Sequence, residues 1–128
     1  IYLSGYTACP PREDLRKTAL GSEDSVPWEY FENPLDAARV IKAEGIPLIL
    51  IEQTKQSQSM YEIDWEFPVC FIVGNEVTGV SEELSVLADI HAELPMRGVK
   101  QSLNVSVACG VAGYELARVH LNEKLKIP

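Results

Sequence analysis

Two short, unbroken apolar runs constrain this chain more than any other feature. The first is Leu48-Ile49-Leu50-Ile51, inside a strand-like segment from Pro47 to Glu52; the second is Val69–Val73, which stops at Gly74. A strand with one wet face alternates apolar and polar residues, whereas a strand apolar throughout must be covered on both faces. A parallel sheet with helices packed above and below it meets that condition. Ile1–Ser4 reads as a further strand, as does Ile90–Leu94, which ends at Pro95.

The segments between these strands carry helix signals. Asn33 is a good N-cap and Pro34 suits the first helical position; Leu35, Ala38 and Ile41 recur at helical spacing, and Gly45 offers a left-handed stop. Ser81 caps a second helix that runs to Ala88, with Glu82 and Glu83 in the first turn, where the helix dipole favours negative charge. Gly98 and Ser102 lead into a last helix, Leu103 to Lys124. Its apolar set is Val105, Ala108, Ala112, Leu116 and Val119, Tyr114 is a packing residue within it, and Lys124 and Lys126 complement its C-terminal dipole. Gly5 to Trp28 is a long irregular stretch broken by Pro10-Pro11, Gly21 and Pro27, with room for a short helix over Asp14–Ala19. Strands alternating with helices indicate the α/β class, with a mainly parallel sheet flanked by helices. In such sheets ligands sit beyond the carboxyl ends of the strands. The residues to examine therefore follow Glu52, Val73 and Leu94.

Composition sets the outer limits. A chain of 128 residues and 14.2 kDa suits one domain. Surface scaling gives a folded area of roughly 6,800 Å² from an unfolded area of roughly 20,600 Å², so about two thirds is expected to be buried. No apolar run approaches the ~18 residues of a membrane helix. Lys and Arg number 11 against 19 Asp and Glu, a net charge of −8, which argues against a fold organised around a basic nucleic-acid stripe. Cys9, Cys70 and Cys109 are far apart and odd in number, which argues against a disulfide framework; Cys70 and Cys109, among apolar neighbours, read as reduced thiols packed in the core of a cytoplasmic protein, whereas Cys9 stands in a loop before Pro10-Pro11. His91 and His120 have no partner at metal-ligand spacing. Glu62, Asp64 and Glu66 read as a solvated loop before a cation site, and Trp28 and Trp65 as packing residues before base-stacking ones. The chain opens on the apolar run Ile1-Tyr2-Leu3 with no Met, and is expected to continue upstream.

Two segments stand where a ligand would bind. Gly74-Asn75-Glu76-Val77-Thr78-Gly79-Val80-Ser81 follows a strand, with two glycines around polar groups. It fits a phosphate loop or an ordinary strand-to-helix turn, and matches neither the Walker spacing nor the dinucleotide fingerprint. Pro95 to Ser106 follows the next strand and opens a helix, where exposed N–H groups favour an anion. Arg97 and Lys100 add local positive charge; the alternative is plain capping by Ser102 or Asn104 beside two solvated cations.

Taken together the segments are more specific. Gly74-Asn75-Glu76 with Gly79, then Leu94-Pro95-Met96 and Ser102-Leu103-Asn104, resembles the second and third signature motifs of the SpoU/TrmH-type RNA 2′-O-ribose methyltransferases of the SPOUT superfamily. Thr18-Ala19-Leu20-Gly21, Val26-Pro27-Trp28 and Ile51-Glu52-Gln53-Thr54 resemble the intervening segments, so the likeness runs from Ile1 to Leu121.

The resemblance implies a parallel sheet flanked by helices with a C-terminal trefoil knot. It implies S-adenosyl-L-methionine as cofactor, held by Ile51, Glu52, Gly74, Leu94, Met96 and Leu103. It implies active-site roles for Glu76, Ser102 and Asn104, with Glu76 and Asn104 keeping the loops in register and Ser102 facing the ribose-phosphate. The substrate would be tRNA or rRNA, met by Arg97, Lys100 and Ser102, and the protein a cytoplasmic homodimer. The family's first motif, with its Asn and the Arg thought to help deprotonate the 2′-hydroxyl, lies upstream of Ile1. Residues 1–128 are thus expected to be the family domain without its N-terminal strand and helix. That motivates a second reading, a cofactor- or RNA-binding module that does not turn over; a third is an unrelated α/β nucleotide binder. The acidic balance requires RNA contact to be local, near Arg97, Lys100 and Arg118, or to come from the upstream part.

Overall fold

The computed structural model describes residues 1–100 and 102–125. Its elements are β1 (Tyr2–Ser4), α1 (Glu13–Ala19), α2 (Ser22–Ser25), β2 (Glu29–Phe31), α3 (Pro34–Ala43), β3 (Leu48–Ile51), β4 (Gln58–Ser59), β5 (Cys70–Val73), α4 (Glu82–Leu87), β6 (Ile90–Glu93) and α5 (Val105–Leu125). The helix boundaries follow local chemistry. Asn33 accepts the Leu35 N–H on its side chain with Pro34 opening α3, and Ser81 accepts the Leu84 N–H at the start of α4. Asn104 Oδ1 accepts the Ser106 N–H at 3.0 Å and its carbonyl accepts the Ala108 N–H at 2.9 Å, so α5 starts at Val105, two residues later than its apolar pattern suggests.

The pairings between the described strands are all parallel. β1 pairs with β2 in a two-stranded sheet, and the main sheet has the order β4-β6-β3-β5. Every residue of β3 is buried, as its unbroken apolar run requires. On one face, Ile49, Ile51, Ala92 and Leu94 pack with Met60, Trp65 and the α5 residues Ala112 and Leu116. On the other, Leu48 packs with Ala38 and Ile41 of α3 and Leu84 of α4. The sheet is therefore the middle layer between α5 and the α3–α4 pair. Trp65 belongs to this core and donates its indole N–H to the Met60 carbonyl at 3.2 Å.

Several expectations are corrected. The stretch Gly5–Trp28 holds a second short helix, α2, and is followed by strand β2; Trp28 is exposed. Tyr114 is not a packing residue: it is 84% exposed, because α5 carries apolar residues on both sides and the inner one is filled by Ala108, Ala112 and Leu116. The chain exposes 9242 Å², well above the roughly 6,800 Å² expected of a compact monomer of this mass. The excess has visible sources: β5 is a half-buried edge strand, β1–β2 is separate from the main sheet, and the outer face of α5 is bare. Glu62, Asp64 and Glu66 include no buried carboxylate, and no group of three metal-ligating side chains occurs among the described residues. No described helix is long and apolar enough to cross a membrane. The side chain of Lys124, and Lys126 altogether, lie outside the described residues.

Candidate active site

The carboxyl ends of β3, β5 and β6 converge on one side of the main sheet, and the start of α5 closes over them. Between them lies an open cavity of about 740 Å³, within the ~300–1,000 Å³ typical of small-molecule sites. Ile51, Glu52 and Gln53 form the β3 wall, Val73 to Gly79 the β5 wall, and Leu94 and Met96 the β6 wall. Lys100, Ser102, Leu103, Asn104, Val105 and Ala108 come from the last loop and α5. Apolar side chains of the strand ends and α5 share the lining with polar groups of the loops.

The loop after β5 is built by its own sequence. Asn75 exchanges two backbone hydrogen bonds with Gly79, at 3.1 and 2.9 Å, and its Oδ1 accepts the Val77 and Thr78 N–H groups at 2.8 and 3.2 Å. Glycine is required at two points. A Cβ on Gly74 would stand 2.6 Å from the Gly79 carbonyl carbon and 2.8 Å from the Val80 nitrogen. Gly79 has a φ of +66°, and a Cβ there would overlap the Glu52 carboxylate. Glu76 and Val77 form the exposed tip.

All six residues that the resemblance implied for the cofactor line this cavity, as do Glu76, Ser102, Asn104 and Lys100. Arg97 is exposed and does not line it. Among the described contacts the loop is closed by Asn75, not Glu76, while Asn104 caps α5. Arg118 does not join a patch with Arg97 and Lys100. Thirteen residues along α5 from Val105 put it roughly 20 Å from that end, and its guanidinium is held by Glu115 at 2.8 and 2.6 Å. Asn75, to which the motif resemblance assigns no role, shapes the loop; an Asn whose side chain serves amides two and three residues on is the signature of an Asx turn. Gln53 and Thr78, which the motif segments contain without a role, also line the cavity, and so does Val105 from the apolar set of α5.

The profile of the SpoU rRNA Methylase family matches residues 1–114. The chain belongs to that family. A tRNA (guanosine(18)-2'-O)-methyltransferase of Aquifex aeolicus is 39% identical over 119 residues, covering 92% of this chain and 56% of that protein. The crystal structure of the A. aeolicus TrmH/SpoU tRNA modifying enzyme superposes with a TM-score of 0.83 at 34% identity, over 97% of this chain and 64% of that one. An AdoMet-bound rRNA methyltransferase from Sinorhizobium meliloti gives 0.84 at 31% identity, over 94% and 46%. The chain spans about half the length of the curated SpoU relatives it matches. The α/β fold with its parallel sheet between helices is thus the SpoU fold.

Proposed function

We propose that these residues form the cofactor-binding unit of an RNA ribose 2′-O-methyltransferase acting on tRNA or rRNA. The supporting observation is the cavity, which gathers in one place residues from three separate segments that resemble the family's cofactor-binding and active-site positions. Its residues fit S-adenosyl-L-methionine: Ile51, Leu94, Met96 and Leu103 offer apolar walls to an adenine ring and thioether, beside loops of polar backbone. That cofactor supplies an electrophilic methyl group on a sulfonium sulfur. Leu94, Met96 and Leu103 would pack against it. Lys100 and Ser102, at the cavity edge before α5, receive the ribose-phosphate, and Arg97 meets RNA phosphate outside. Glu76 reaches the substrate side from the loop tip, and Asn104 fixes the start of α5. A ribose hydroxyl is a weak nucleophile, so positioning and a proton acceptor must both contribute. The residues named here supply the positioning.

The same reading includes the trefoil knot, with the segment from Ser102 threaded, and a cytoplasmic homodimer. Val107, Val111, Tyr114 and Leu121, exposed along the outer face of α5, support a second copy docking there. Titration calorimetry tests the cofactor assignment. One equivalent of S-adenosylmethionine bound, and displaced by S-adenosylhomocysteine, is the expected result; folded protein that binds neither would overturn it.

A further inference from the structure

We infer that Glu52 is a positioning residue whose carboxylate fastens the loop after β5 to the end of β3, setting the width of the cavity. The inference rests on the reading that this cavity takes S-adenosylmethionine. The Glu52 side chain does not simply face a ligand. It runs beneath the neighbouring loop, where its Oε2 accepts the Val80 N–H at 3.3 Å. Its Oε1 lies against Gly79, at the spot a Cβ would fill. The need for glycine at 79 thus has two sources, the left-handed φ and the carboxylate packed under it.

Glu52 is itself held at both backbone groups. Its N–H donates to the Ala92 carbonyl at 3.0 Å, and its carbonyl accepts the Ser57 hydroxyl at 2.6 Å. A carbonyl only accepts, so the single Ser57 proton is committed to Glu52. Ser57 Oγ must then act as acceptor toward the Thr54 N–H at 3.0 Å and the Thr54 hydroxyl at 2.9 Å. The result is one line of hydrogen bonds from Thr54 through Ser57 and Glu52 to Val80, joining two loops whose clamp partners are 28 residues apart. Loops fixed before a ligand arrives need not be ordered by it, which strengthens binding without a new contact. Accepting an amide requires an oxygen, not a charge, so glutamine should serve at position 52.

The test compares Glu52→Ala, Glu52→Gln and Ser57→Ala with wild type, reading S-adenosylmethionine affinity and hydrogen exchange of the Val80 amide, with circular dichroism to verify folding. Glu52→Ala should weaken binding roughly tenfold and deprotect the Val80 amide, in line with a lost hydrogen bond to a charged group. Glu52→Gln should stay within about threefold of wild type with that amide protected, and Ser57→Ala should fall between. Two outcomes would overturn the inference: Glu52→Ala matching wild type in both readouts, or Glu52→Gln binding as poorly as Glu52→Ala, which would make the charge a direct ligand contact. If folded wild type does not bind S-adenosylmethionine, the functional reading fails, and Val80 exchange alone still decides the clamp.

Discussion

Replacing Gly74 with alanine probes the cavity at its tightest backbone contact. The new Cβ would lie 2.6 Å from the Gly79 carbonyl carbon, 2.8 Å from the Val80 nitrogen and 2.9 Å from Val80 Cγ2. Carbon atoms in good contact stand about 3.5–4.0 Å apart, so the loop must retreat by about 1 Å. Two of the three atoms are backbone, so no rotamer change relieves the overlap. The same displacement strains the paired Asn75–Gly79 hydrogen bonds and the Val80 N–H to Glu52 bond. Overpacking of this kind costs about 1–3 kcal/mol. Taking about 2 kcal/mol, the melting temperature of a chain this size should fall by roughly 6–10 °C. If the loop yields instead of the domain, the loss should reach the cavity, and affinity for S-adenosylmethionine should drop roughly 30-fold. Differential scanning calorimetry and titration calorimetry on the same preparation measure both. Gly74→Ala with wild-type melting and affinity within twofold would refute the close-approach argument.

Three further outcomes are expected. Asn75→Ala removes the acceptor for the Val77 and Thr78 amides and should weaken S-adenosylmethionine binding roughly tenfold, while Asn75→Asp keeps the acceptor and should bind nearly as wild type. At Asp89, burial pushes the carboxyl up, but the Lys42 ammonium and the Leu48 N–H outweigh it and hold the carboxyl below its ordinary value of 3.8. Its contribution is therefore present above the unfolded value and is lost as pH falls through the lower folded one; melting of Asp89→Asn should be less acid-sensitive below about pH 4, and an unchanged pH profile would contradict this. RNA binding should weaken steeply with salt, and Arg97→Ala with Lys100→Ala should each reduce the slope of log affinity against log salt by about 0.7 if they contact phosphate of single-stranded RNA.

Much of this architecture is legible in local sequence, and the exceptions have physical causes. Asn33-Pro34 and Ser81 announce α3 and α4 because capping is a contact between residues two and three apart. The apolar run of β3 announces burial on both faces. By contrast, β2 and β4 have three and two residues, too few to show any period. The outward face of Tyr114 is hidden because apolar residues occur all round α5, and only packing decides which side is inner. The cavity lining was reached through the motif resemblance, since neither Gly74 nor Leu103 carries a local sign of meeting the other. The link between Glu52 and Val80 depends on the sheet bringing two distant loops together, so no window of sequence contains it.

The most direct measurement is methyl transfer itself. The full-length protein is incubated with tRNA or rRNA and isotopically labelled S-adenosylmethionine, and the RNA is digested to nucleosides for mass spectrometry. Label in a 2′-O-methylated nucleoside, greatly reduced with Glu76→Ala or Asn104→Ala, is the expected result. Label found on a base, or a ribose methylation rate untouched by both substitutions, would contradict it.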